Sequence, residues 1–360
     1  VPSVRAVLDD LGRTVSWSKA AGWDPVGLQV GDLDATVDRI GVCHDVTAGV
    51  LDAADAAAVG LLIAYHPLLF DPAQRFVAGQ DSAGLAFRAV RSGVAVAVVH
   101  TAFDVAAGGT ADALASALDL AEVVPFGPLW GGDAVKVVTF APSTDVDGIV
   151  AAMSRAGAGV IGDYSGCSFR SEGVGTFTAG PAANPMVGEA GATTSSREIR
   201  VEMTAPAGLV DQVVSALARA HPYDEPAYDV IERRPEAGFV GRIGSWSGTL
   251  GSLVEHVDDR LGGVIRGAGE RDGRVTRVAV VPGSGASMAH LARAEGADAL
   301  VTGDVKHHDA RAAVGIGLGV VDPGHAATER PGVAKLYAAV AAGEVEVVDL
   351  TTVDADPWDD

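Results

Sequence analysis

Five histidines and two carboxylates in this chain carry the types and spacing that metal chemistry needs. His66 falls in LLIAYHPLLF, His100 in AVAVVHTAFD, His307 and His308 in ALVTGDVKHHDA, and His325 in LGVVDPGHAATE. His100 precedes Asp104 by four positions, and His325 precedes Glu329 by four. On a helix that spacing puts both side chains on one face, where they can converge on one cation. Imidazole and carboxylate without neighbouring thiolates suit zinc, manganese or iron rather than iron–sulfur chemistry. A single HxxxD or HxxxE reads more readily as a helix cap or a satisfied polar group. Four such motifs in a duplicated arrangement favour a metal site, because stability does not require imidazole at so many strand ends.

The surrounding sequence supplies those strands. From residue 38, short β-rich runs alternate with Ala-rich helical stretches: RIGVCHD, VLDAADAAAVG, LLIAYHP, SAGLAFRAVRSG, VAVAVVH. The rhythm returns near the other end in TRVAVVP, GASMAHLARAEG, DALVTGD, HHDARAAVGIG, LGVVDPG and VAKLYAAVAA. Both ends therefore read as α/β with largely buried parallel strands. In such sheets polar groups collect at the carboxyl ends of strands, which is where all four histidine motifs fall. Between the ends the texture becomes strand, helix, strands, helix, strand, an α+β module inserted into the first domain. The expected division is 1–133 and 235–360 as two halves of one α/β domain, with 134–234 as the insertion.

Composition removes several classes. At 360 residues the chain is long enough for two to three domains. Its net charge of −21 and the lack of a basic run argue against nucleic acid as a partner. No apolar segment approaches the roughly 18–20 residues that span a bilayer, so no membrane partner is expected. The first residues lack a secretory pattern, which places the expected site of action in the cytoplasm. Cys43 and Cys167 stand far apart and in no CxxC spacing, as buried reduced thiols would.

The longer motifs GWDPVGLQVGD, HPLLF, HTAFDVAAGGTADALA, VTGDVKHHDA and DPGHAATER, with IGDYSGCSF, GVGTF and AHPYDEPAYD in the insertion, carry a resemblance. The chain resembles the GTP cyclohydrolase 1 type 2 homolog family, also called the Nif-three-like proteins, over nearly its whole length. The resemblance implies a two-lobed α/β fold with two adjacent divalent metals, a middle domain similar to PII and CutA proteins, and a toroidal homohexamer. It also implies His66, Asp104, His325 and Glu329 as ligands, the two carboxylates being natural bridges. One departure is visible: the family reads His-His-Pro where this chain has Tyr65-His66-Pro67. Either Tyr65 or water fills that position of a dinuclear site, or one tight site stands beside a weak one. His100, His307 and His308 are then candidates for orienting the ligands or touching substrate.

Smaller signals read structurally. VVPGSGAS at 280–287 is a tight turn that admits close helix packing, since it lacks GxGxxG spacing and a P-loop lysine. Trp23 and Asp24 either line the crevice, as the resemblance allows, or anchor the first helix against the sheet, and packing is the safer reading. His221, Asp224 and Glu225 in HPYDEP sit in a turn fixed by Pro222 and Pro226, suited to a domain or subunit contact. The expected chemistry is hydrolysis of a nucleotide or related small molecule, with one or two divalent ions activating water and Tyr65 or His100 donating a proton. The alternative is a metal-loaded ring that binds a partner without turnover.

Overall fold

The computed structural model describes residues 1–360 except 131–133, 162–163, 184, 233–236, 264, 355 and 359–360. Two compact units emerge: Val1–Gly131 together with Ala237–Asp360, and Gly132–Glu236. The boundaries expected at 133 and 234 themselves fall on residues outside the described set.

The first unit holds two sheets. One has the strand order Gly27–Val30, Ala95–Val98, Leu61–Ala64, Arg39–Cys43, Glu346–Asp349. Its last four strands are parallel, and Gly27–Val30 runs antiparallel on the edge. The segments LLIA and AVAV are buried at every position, as strands covered on both faces must be. Alternation sorts their side chains: Leu61 and Ile63 enter one apolar cluster, and Leu62 and Ala64 enter the other. Truncating Ile63 to alanine would cost about 2–5 kcal/mol through lost burial and the cavity left behind. The covering helix Ser82–Ser92 starts where the Asp81 carboxylate accepts from the Gly84 N–H at 2.7 Å. It stops at Gly93, whose φ of 73° is left-handed.

The other sheet runs Arg266–Ala268, Gly319–Asp322, Ala299–Val301, Arg274–Val280, Ala237–Thr249, Ala121–Trp130. The three β-rich runs read from the sequence form its parallel centre. Antiparallel strands flank that centre on both sides, which periodicity did not disclose. The architecture is mixed α/β.

The second unit is a four-stranded antiparallel sheet in the order Phe169–Thr178, Thr193–Pro206, Ala134–Ala141, Tyr228–Glu232. Helices Val146–Arg155 and Val210–Ala220 cover one face. Val201, Met203 and Ala205, two residues apart, bury against Ile149, Met153, Val213 and Leu217. The edge strand Tyr228–Glu232 is exposed at every position.

Among the described residues no helix is long and apolar enough to cross a membrane.

Candidate metal centre

Three adjacent parallel strands deliver the N-terminal half of the site. His44 follows Arg39–Cys43, Tyr65 and His66 follow Leu61–Ala64, and His100 lies two residues beyond Ala95–Val98. The backbone ladder continues past the strand ends: Tyr65 N–H donates to Cys43 C=O at 3.0 Å, His66 to His44 at 2.9 Å, and His100 to Tyr65 at 2.9 Å. Register alone therefore sets these rings side by side. The His44 and His66 rings stack with centroids 4.8 Å apart, and His66 lies 5.5 Å from His100. His100 has a φ of 29°, a left-handed conformation that costs energy for a residue with a Cβ.

The C-terminal half supplies the carboxylate. Helix His325–Ala341 begins after Gly319–Asp322, and His325 and Glu329 share a face one turn apart, as their spacing requires. The VVPGSGAS turn packs against this helix. Gly283, at φ 62°, donates its N–H to Thr328 Oγ1 at 2.8 Å. A Cβ there would meet Glu329 Oε1 at 2.6 Å on a left-handed backbone, both of which favour glycine beside the carboxylate.

Glu329 is the hub. Its Oε2 lies 2.9 Å from His44 Nε2 and 3.4 Å from His66 Nε2, and its Oε1 lies 3.0 Å from His325 Nε2. His44, His66 and Glu329 each offer a donor atom within 4.8 Å of the others, forming a three-residue metal-competent group. Donors bound to a tetrahedral ion at roughly 2.0–2.1 Å stand about 3.4 Å apart, so the observed separations fit a divalent cation. Outer partners fix two of the rings: His66 Nδ1 faces Asp45 Oδ1 at 3.0 Å, and His325 Nδ1 faces Asp304 Oδ2 at 2.6 Å.

The electrostatics centre on the buried Glu329 carboxylate. Burial favours the neutral acid at Glu329, yet hydrogen bonds from His325, His44 and His66 hold it well below the usual carboxylate range. Burial also opposes a charge on His66, but Asp45 and Glu329 outweigh it and push the imidazole up to about 10. His325 rises to about 9 against its own burial, through Glu329 and then Asp304. A divalent cation bound there would take the place of such protons, because imidazole must be neutral to ligate.

Asp104 occupies a different position. It accepts a hydrogen bond from the Tyr65 hydroxyl at 2.5 Å and stands outside the three-donor group. Burial, aided by the Glu329 charge, raises its carboxyl to about 6, with His100 and Tyr65 pulling the other way. Tyr65 is fully buried, and burial and the Asp104 charge move its phenol well above 10. His100 Nδ1 lies 3.0 Å from Asp24 Oδ1, off the line of a hydrogen bond. Asp24 is itself anchored, its Oδ2 accepting the Thr101 N–H at 3.0 Å.

Of the expected residues, the structure brings His66, His325 and Glu329 together and places His100 and Tyr65 beside them. His307 and His308 are not brought in. Both are exposed at the start of helix His307–Gly315, their rings 5.3 Å from each other, and no hydrogen bond or ion pair among the described residues ties them to Glu329. Trp23 is a correction to the packing reading, being 61% exposed, while its neighbour Asp24 is buried as expected. His44 was missed: it lacks an HxxxD or HxxxE spacing, and only its place after a β-rich run signalled it.

Parallel strands whose ends gather imidazoles around a carboxylate from the far half of the chain define an α/β protein with a candidate metal centre. The chain belongs to the Duf34/NIF3 (NGG1p interacting factor 3) family, whose profile matches residues 2–357. It is 37% identical over 307 residues to the GTP cyclohydrolase 1 type 2 homolog of Bacillus subtilis (strain 168), covering 84% of this chain and 82% of that one. The homolog of the same name from Mycobacterium tuberculosis (strain ATCC 25618 / H37Rv) is 35% identical over 366 residues, covering 98% and 95%. The crystal structure of a Bacillus cereus protein related to NIF3 superposes with a TM-score of 0.66 at 34% identity, covering 99% of each chain.

Proposed function

We propose that this protein is a divalent-metal-dependent hydrolase acting on a nucleotide or related small molecule. The observation that carries the reading is the convergence of His44, His66 and Glu329 donor atoms within 4.8 Å, two of the three residues being buried. These residues would hold the ion, with His325 on the second oxygen of Glu329. A divalent cation in such a setting supplies Lewis acidity and an activated water.

The chain's own residues do the rest. Asp45 and Asp304 orient His66 and His325 through their Nδ1 atoms. His100, with Nδ1 3.0 Å from Asp24 Oδ1 and 17% exposed, is the group positioned to hold and pass a proton. Tyr65, expected to share that task, spends its hydroxyl on Asp104. On the His100 side, Trp23 and Phe70 are 61% and 53% exposed, with ring centroids 5.9 Å apart. Trp23 meets His100 edge-on at 6.2 Å. Such a pair accommodates a planar ring by stacking, which supports a nucleobase-bearing substrate, as does the name of the relatives.

Assembly belongs to the same reading. The edge strand Tyr228–Glu232 exposes Tyr228, Val230 and Ile231, and unpaired apolar edges of this kind serve chain–chain contact. This supports an oligomer, a homohexamer by the family resemblance, built through a PII/CutA-like insertion. Light scattering checks the hexamer.

The deciding experiment is elemental analysis of the purified chain, then a screen for formate and phosphate release from GTP and other nucleotides. Metal-dependent product release that disappears on chelation supports the hydrolase. Tight metal uptake without product from any nucleotide would overturn it in favour of a binding protein.

A further inference from the structure

The family resemblance leads to the expectation that Asp104 bridges two ions. The geometry at the strand ends does not fit that role. Glu329 Oε2 faces His44 and His66, and Oε1 faces His325, so both oxygens of the hub are directed at imidazoles. Asp104 Oδ1 instead accepts the Tyr65 hydroxyl at 2.5 Å. The phenol has no room to withdraw: Tyr65 is 0% exposed, and its ring lies 5.4 Å from His44, 5.0 Å from His66 and 5.9 Å from His100. His44, which no spacing rule indicates, supplies a third donor from the neighbouring strand end. A tetrahedral ion needs only three protein donors and one open position to be catalytic.

We propose that the centre takes a single tightly held divalent ion on His44, His66 and Glu329, with Asp104 standing outside that three-donor group and tied to the Tyr65 hydroxyl. In this arrangement His325 is a positioning residue: paired with Asp304 at Nδ1, it fixes the Glu329 carboxylate from the other oxygen. The inference rests on the metal-dependent reading above and concerns the number of ions and the identity of the ligands.

The test is zinc stoichiometry and affinity on the full chain, stripped with chelator, reloaded with Zn²⁺ and titrated against a competing chromophoric chelator. The unaltered protein is expected to retain one Zn²⁺ per chain. Asp104→Asn keeps an oxygen to accept the Tyr65 hydroxyl and is expected to hold that ion within about threefold of the original affinity. His44→Gln is expected to weaken it at least about 100-fold, since a ligand is lost rather than an outer partner. Co²⁺ loading gives an independent readout: intense visible absorption of a four-coordinate ion, kept in Asp104→Asn and lost in His44→Gln. Thermal unfolding checks each variant, and if His44→Gln does not fold, the stoichiometry and the Asp104→Asn arm still decide. Two Zn²⁺ per chain, with one lost in Asp104→Asn, would overturn the inference and leave the metal-dependent reading standing. Failure of the unaltered chain to retain any divalent ion would remove both.

Discussion

His66 and His221 are the same side chain in two surroundings, and the contrast shows what turns an imidazole into a ligand. His66, in the first unit, stands between two carboxylates, Asp45 and Glu329, and its basicity is raised to about 10. His221, in the insertion, is bonded only to backbone: Nε2–H donates to Phe140 C=O at 3.0 Å, and Nδ1 accepts the Tyr223 N–H at 3.1 Å. Its desolvation outweighs the Phe140 carbonyl and the Glu198 and Asp145 charges, so its basicity is lowered. Both nitrogens of His221 are committed to holding the HPYDEP turn. Those of His66 are directed at side chains that a cation can join. The neighbouring anion, more than burial, separates the two roles.

The largest effect expected from breaking this contrast comes from Glu329→Ala. Without the hub carboxylate, metal content should fall to background by elemental analysis, and any metal-dependent turnover should vanish with it. Asp45→Asn comes next. It leaves His66 in place but weakens the partner at Nδ1, so zinc affinity should drop about 10–100-fold in a chelator competition. His221→Ala reverses the pattern: metal content stays unchanged, while two backbone groups lose their partner and stability falls by about 1–3 kcal/mol in chemical denaturation. Retained metal in Glu329→Ala, or metal lost in His221→Ala, would erase the distinction.

The smallest effect is a pH dependence confined to His221. Its basicity in the folded chain lies below the ordinary 6.5, so the unfolded chain binds the proton more readily. The stabilisation is therefore present above pH 6.5 and is lost as pH falls below it. The melting-temperature advantage of the unaltered chain over His221→Ala should shrink between pH 7.5 and pH 5, whatever the remaining groups do to both curves. A difference that does not change with pH would remove His221 from the account.

Much of the fold and part of the site were legible in the sequence because both depend on local pattern. Runs such as LLIA and AVAV announce strands buried on both faces, and HxxxE announces His325 and Glu329 on one helical face. What could not be read depends on register between distant segments. The Tyr65–Asp104 hydrogen bond joins residues 39 positions apart, and His44 reaches Glu329 across 285. Neither leaves a spacing signature. His307 and His308 meet the local rule of a histidine after a strand end, and the helix they begin leaves both exposed. The antiparallel flanking strands escaped for the same reason as His44, since direction of pairing is set by partners far along the chain.

Strand Glu346–Asp349 pairs in parallel with Arg39–Cys43, and Glu329 comes from the helix just before it. The first two candidate donors precede the third by hundreds of residues, His44 lying 285 positions before Glu329, so a chain that stops short of residue 329 cannot assemble the candidate centre.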